Sequence, residues 1–324
     1  MSRVVLSIRN LEVNYYTLRG IVNAVDNLSL DIYEGETIAI VGESGSGKTT
    51  LARAILRILP SNASIDKGSI LFRINGSKEI DLARATEKEL EKIRGDMITM
   101  IFQEPSVALS PVHKIIVQIT DHLEKKGIDR GKLREQAIDL MKRLRMPNPE
   151  AVLDMYPHEL SGGMKQRVVI ASALITRPKI IIADEPTTAL DVTVQAQILR
   201  LLIELKRDLK STVIFITHNL AIAAEIADRI AVMYAGQLVE VADKYTLFES
   251  PQHPYTKGLL KSIPKPHVDE EIEPIPGEPP SLVNPPKGCR FHPRCPIADF
   301  VCMKERPRLE RKSSGSLVAC HRVD

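Results

Sequence analysis

The chain has 324 residues, is 44% hydrophobic and 26% charged, and sets 44 Lys and Arg against 41 Asp and Glu for a net charge of +3. That balance excludes a low-complexity or disordered chain and gives no overall basic excess pointing to nucleic acid. No uncharged stretch reaches 18 residues, and the opening MSRVVLSIRNLEVNYY alternates charged with apolar residues, so neither a membrane-spanning helix nor a signal peptide is expected.

Along the chain, the short apolar runs ETIAIV (36–41), KIIIAD (179–184) and STVIFIT (211–217) alternate with longer helical patterns. This reads as an α/β protein with a largely parallel sheet covered by helices. Between the first run and a helical pattern lies GESGSGKT, Gly42 to Thr49, which matches G-x-x-x-x-G-K-[ST] at every fixed position. Gly42, Ser44, Gly45, Ser46 and Gly47 would turn successive backbone N–H groups toward phosphate oxygens, and the following helix adds its positive end. Lys48 would meet the β- and γ-phosphates, Thr49 would offer its hydroxyl to Mg²⁺, and Thr50 continues the site.

Farther on, ELSGGMKQR puts Ser161, Gly162 and Gly163 at the start of a helical pattern: a second anion-binding helix terminus, with no lysine or acidic partner of its own. The run IIIADEP then carries Asp184 and Glu185 to a strand end. Asp184 is expected to hold Mg²⁺ and Glu185 to polarise the attacking water. Pro186 is expected to bias Glu185 toward extended backbone, so that the chain leaves the sheet there. Residues 192–210 place Ile198, Leu201, Leu202 and Leu205 at helical spacing, and RIAVMYAGQLVEVAD predicts a hairpin turning at Ala235-Gly236.

Thirteen of the 21 prolines follow residue 250, which sets the expected boundary: a main domain over 1–250 and a small extension over 251–324. The segment 263–280 should cross the surface in an extended form. All four cysteines lie in the extension, at Cys289, Cys295, Cys302 and Cys320. Disulfides are not expected inside a cell; four thiolates can close a zinc site or hold an iron-sulfur cluster, and the spacing alone decides between neither these nor free thiols. His253, His292 and His321 are rival ligands that four cysteines make unnecessary. A proline-rich, loop-rich arm cannot bury enough surface to fold alone, so a metal centre is expected to tie it down.

In this order, the motifs resemble the nucleotide-binding subunits of ATP-binding cassette (ABC) transporters. LSGGM resembles the family signature, Gln103 in IFQEPSVALSP the Q-loop glutamine, Asp191 in TALD the D-loop, and His218 in FITHNL the switch histidine. Tyr15 stands where an aromatic stacks on adenine, with Tyr16 as substitute. The resemblance implies a P-loop NTPase of the cassette type, with a helical subdomain over about 105–175, that hydrolyses ATP with Lys48, Gln103, Glu185 and His218. It implies Gln103 beside Thr49 and Asp184 at Mg²⁺ and in coupling to the membrane subunits. Two cassettes would pair head to tail, so that Ser161 and Gly163 of one cover the γ-phosphate held by Lys48 of the other.

The stretches 250–264, 275–282 and 288–296 resemble the C-terminal extension of dipeptide and oligopeptide importer ATPases. That implies a [4Fe-4S] cluster, with Zn²⁺ as the alternative, and a subunit at the cytoplasmic face of the membrane that powers peptide import. Its partners would be permease subunits, an extracytoplasmic binding protein and a second cassette, which can be a different chain. Nickel or other small-solute import is the alternative. Nucleic-acid-maintenance and iron-sulfur-related ATPases of the same superfamily are rivals, but only 111 residues separate Thr49 from Ser161 and there is no second P-loop.

Overall fold

A computed structural model describes residues 3–75, 78–187, 191–263 and 274–323. It divides into two compact units, one formed by residues up to 85 together with those from 215 onward, the other by 86–214.

The first unit opens with β1 (Val4–Thr17), β2 (Gly20–Tyr33), β3 (Thr37–Val41), β4 (Ala63–Asn75) and β5 (Lys78–Asp81). Strands β2-β1-β4-β5 form an antiparallel sheet in that order. Strand β3 is five consecutive buried residues, as its unbroken apolar run requires of a strand covered on both faces.

The second unit contains β6 (Ile98–Ile101) and β7 (Ile180–Asp184), paired in parallel with Ile98 opposite Ile180 and Ile101 opposite Ala183. The helices Ile115–Glu124, Arg130–Arg143 and Gly162–Leu174 pack on one another here. The helix Val192–Leu209 buries Ile198, Leu201 and Leu205, the expected stripe, and leaves Leu202 half-buried. Strand β8 (Thr212–Thr217) carries the chain back to the first unit.

There β9 (Arg229–Tyr234) runs parallel to β3, and β10 (Gln237–Asp243) returns antiparallel to β9. Tyr234 faces Gln237 across a two-residue turn whose Ala235 and Gly236 both have positive φ, the hairpin expected at this dipeptide. The tail adds β11 (Glu310–Arg311) and β12 (Leu317–Val318), with β12 antiparallel to β10, so this part of the sheet runs β11-β12-β10-β9-β3.

The expectation that the tail lacks a core needs amending. Tyr255 is fully buried and Phe291 is 2% exposed; both join Tyr234, Leu220 and Leu247 in one apolar cluster. The three aromatic rings meet at centroid distances of 4.5, 5.2 and 5.4 Å, in tilted and edge-on contacts that add about 0.5–1.5 kcal/mol each beyond area burial. The arm folds by sharing the core of β9 and β10. The expected extended crossing falls on residues of which 264–273 lie outside the described ones, as do Thr188, Ala189 and Leu190 of the TALD stretch.

Candidate functional site

In the first unit, β3 ends at Val41 and the helix Lys48–Leu56 begins after a loop of six residues. The loop between them holds Gly42, Ser44, Gly45, Ser46 and Gly47, and the first turn of the helix holds Lys48, Thr49 and Thr50. Gly47 has φ 101°, and a Cβ there would lie 2.2 Å from the Ala24 carbonyl oxygen, so the turn into the helix admits only glycine. Ser44 and Gly45 are exposed, Ser46 is buried, and the Ser46 carbonyl accepts from Gly236 N–H of the β9–β10 turn at 2.9 Å. Lys48 is buried, with its ammonium donating to the carbonyls of Gly42 (2.8 Å) and Glu43 (2.9 Å) and to Ser46 Oγ (3.4 Å). The cation is therefore held over its own loop, beside the N–H groups of a helix start, which is the geometry of an anion cradle.

Thr49 is half-buried and Thr50 buried; Thr50 Oγ1 lies 3.1 Å from Tyr15 Oη. That contact ties the half-buried Tyr15 to the P-loop helix, whereas Tyr16 is exposed and donates to Asp66. His218 is exposed just beyond β8, and Asn219 caps the next helix by accepting from Ala221 N–H at 2.9 Å.

In the second unit, Asp184 ends β7 and is 3% exposed. Glu185 has φ 45°, not the extended backbone expected before proline. Pro186 excludes the right-handed helical region, and the chain takes the left-handed one, a strained conformation worth of order 1–3 kcal/mol that surrounding contacts must hold. One such contact is Gln103 Nε2, which donates to Glu185 Oε2 at 3.1 Å. The two residues, 82 apart in sequence, are thus brought together, with the glutamine amide on the carboxylate expected to polarise water.

Ser161 caps the helix Gly162–Leu174, its Oγ accepting from Met164 N–H at 3.4 Å, and Gly162 and Gly163 form the bare first turn. Asp191 caps Val192–Leu209 by accepting from Val194 N–H at 2.9 Å.

The tail gathers the four cysteines. Cys289 N–H donates to the Cys302 carbonyl at 2.8 Å, and this approach depends on Gly288, where a Cβ would meet the same oxygen at 2.3 Å. Burial pushes the Cys289 thiol up to about 11 against an N–H donor at Phe291, and negative charge on Cys302, Cys320 or Cys295 pushes it the same way. Every pair among the four thiols lies within such electrostatic range. Cys289, Cys295 and Cys320 each accept from the N–H two residues on, at Phe291, Ile297 and Arg322. Among the described residues, however, no three Cys, His, Asp or Glu side chains stand at ion-holding geometry. The rival histidines are engaged elsewhere. His253 is buried, accepts Tyr255 N–H, and is driven down to about 3 by burial; His292 lies 2.9 Å from the Cys289 carbonyl and His321 3.0 Å from that of Glu305.

Sequence reading missed three residues: Glu43 within the phosphate loop, and Tyr255 and Arg294 beside it. Tyr255 Oη accepts Glu43 N–H at 2.9 Å, and Arg294 donates to both Glu43 carboxylate oxygens at 2.8 and 3.1 Å. Arg294 pairs across 251 positions, so no local pattern announces it.

A phosphate loop with a seated lysine after one buried strand, and a strand-end Asp-Glu pair with its glutamine, define a P-loop ATPase. The comparisons narrow this: the ABC transporter family matches residues 25–188, and the oligopeptide/dipeptide transporter C-terminal region matches 239–302. The chain belongs to the ABC transporter family, among the ATP-binding subunits of dipeptide and oligopeptide transporters. It is 46% identical to a dipeptide transport ATP-binding protein of Caldanaerobacter subterraneus subsp. tengcongensis, covering 98% of this chain and 97% of that one. It is 44% identical to an oligopeptide transport ATP-binding protein of Salmonella typhimurium, over 98% and 94%. A solved dimeric ATP-binding cassette in a post-hydrolysis state, bound to ADP and Pi, matches at TM-score 0.65 and 30% identity, over 74% of this chain and 98% of that chain. The protein is an ABC ATPase that couples ATP hydrolysis to transport. Among its described residues no helix is long and apolar enough to cross a membrane.

Proposed function

We propose that this chain powers the import of dipeptides or oligopeptides from the cytoplasmic face of the membrane, as a peripheral subunit bound to transmembrane permease subunits. An extracytoplasmic binding protein delivers the peptide, and a second, different ATP-binding subunit completes the motor. The observation that carries this reading is the joining, in one chain, of a seated phosphate-loop lysine to a peptide-transporter C-terminal region that fastens onto the same loop.

Lys48 and the loop N–H groups bind the β- and γ-phosphates, Thr49, Gln103 and Asp184 serve Mg²⁺, and Tyr15 stacks on the adenine. Glu185 orients water and His218 contacts the γ-phosphate. Ser161 and Gly163 complete the site of the partner cassette, with Asp191 at the same interface. Reconstitution with permease subunits and binding protein tests the whole: ATP-dependent uptake of labelled dipeptide should require this chain and vanish in Lys48→Ala. Uptake of nickel but not peptide would replace the substrate assignment.

We further propose a [4Fe-4S] cluster, or zinc in its place, on the four cysteines: three of them accept backbone N–H bonds, and burial, which raises all four thiols, leaves a cation to hold them as thiolates. Cys289, Cys295, Cys302 and Cys320 would hold the group, whose contribution is to fasten the tail. Iron and acid-labile sulfide near four per chain in anaerobically purified protein support the cluster; stoichiometric zinc without colour replaces it.

A further inference from the structure

The segment between Cys289 and Cys295 carries two buried arginines, and both lead to the phosphate loop of the same unit. Arg290 donates to the Ala235 carbonyl and pairs with Asp26 at 2.8 Å, while the adjoining Gly236 N–H donates to Ser46. Arg294 is more direct. Its guanidinium, on a side chain 5% exposed, grips the Glu43 carboxylate with two bonds and spends its other donors on the Pro276 and Ile275 carbonyls and Tyr234 Oη. Glu43 is the second residue of the loop. Its N–H goes to Tyr255 and its carboxylate to Arg294, both in the C-terminal region, and its carbonyl to Lys48.

We propose that Arg294 is a positioning residue for nucleotide binding, which acts through Glu43 to keep a carboxylate paired and turned aside in a loop built to receive a polyanion, with Tyr255 fixing the backbone of the same residue. A bare carboxylate in that loop repels the phosphates at a distance of several ångströms, where partial burial leaves the interaction poorly screened. The bidentate fork matters, because a lysine supplies the charge without the two-point hold. The peptide-transporter tail thereby becomes part of the machinery that sets ATP affinity.

The test is a double-mutant cycle on the full chain, read by the Kd of a fluorescent MgATP analogue and by KM and kcat, with circular dichroism confirming the fold. Arg294→Gln should raise Kd and KM about tenfold with kcat within about twofold, the size expected for one uncompensated nearby charge. Arg294→Lys should fall between. In a Glu43→Gln background, adding Arg294→Gln should change Kd by no more than about twofold, since the offending carboxylate is gone. Wild-type affinity in a folded Arg294→Gln, or a double variant as weak as the product of the singles, overturns the proposal. Should Arg294→Gln not fold, Tyr255→Phe decides: it removes the acceptor for Glu43 N–H and should raise Kd about three- to fivefold, the effect of one hydrogen bond, whereas an unchanged Kd overturns the proposal.

Discussion

Replacing Gly47 by Ala tests how firmly the phosphate loop is built, and Gly45→Ala supplies its internal control. Both positions have positive φ, 101° at Gly47 and 76° at Gly45, so each alanine carries a backbone penalty of about 1–2 kcal/mol. They differ in their surroundings. A Cβ on Gly45 meets nothing within 4 Å, while one on Gly47 lies 2.2 Å from the Ala24 carbonyl oxygen. That oxygen is backbone of β2, at a register shift whose flanking residues Asn23 and Val25 pair with Asn14 and Val13 of β1, so it cannot swing aside as a side chain would. Relief requires a movement of about 1 Å in a packed region, an overpacking cost of about 1–3 kcal/mol added to the backbone term. Urea unfolding of both variants should therefore place Gly47→Ala about 1–3 kcal/mol below Gly45→Ala, with MgATP affinity falling further in the former. Equal stabilities, within about 0.5 kcal/mol, would show that the carbonyl does not fence this glycine and would refute the reasoning.

Glu185→Gln should lower ATP turnover by about 10²- to 10⁴-fold while retaining nucleotide binding, checked by phosphate release and by the Kd of the same analogue. Gly288→Ala should disrupt the Cys289–Cys302 backbone contact and lower stability by about 1–3 kcal/mol, measured by urea unfolding, because its Cβ has no room beside the Cys302 carbonyl. His253 makes stability acid-sensitive. Burial holds it neutral down to about pH 3, whereas an unfolded histidine binds its proton near 6.5, so between those values the unfolded state holds more protons and stability falls as pH falls. His253→Asn, which keeps a cap acceptor for Tyr255 N–H, should lose about 1.4 kcal/mol less per pH unit below 6.5, read from urea midpoints at pH 7.5 and 5. Glu240, whose carboxyl burial raises it despite N–H bonds from Gln252 and His253, acts in the opposite sense but equally in both proteins.

What sequence made legible was whatever repeats over a few residues. The unbroken run before Gly42, the phosphate loop, the serine opening Gly162–Leu174 and the Ala235-Gly236 turn each rest on local sterics or on caps one turn away. Glu185 shows where that reasoning stops: its neighbour Pro186 removes one backbone region, but which of the others is used depends on contacts such as the one from Gln103. The tail shows it again. Its prolines and polar residues read as an arm without a core, because the aromatic partners of Tyr255 and Phe291 include Tyr234 from the preceding hairpin. Glu43 stands at an unspecified position of the phosphate motif, and only the folded chain sets Arg294 against it.

The discontinuous first unit also bears on how the protein is made. A ribosome releases Glu43 and β3 long before β9, and Arg294 emerges 251 residues after Glu43. At roughly 5–20 residues per second the phosphate loop waits on the order of ten to fifty seconds for its last fastening. For most of that interval, until residues 229–234 are made, β3, buried along its whole length in the folded chain, lacks its parallel neighbour β9, and the nascent chain is then most exposed to aggregation or chaperone capture.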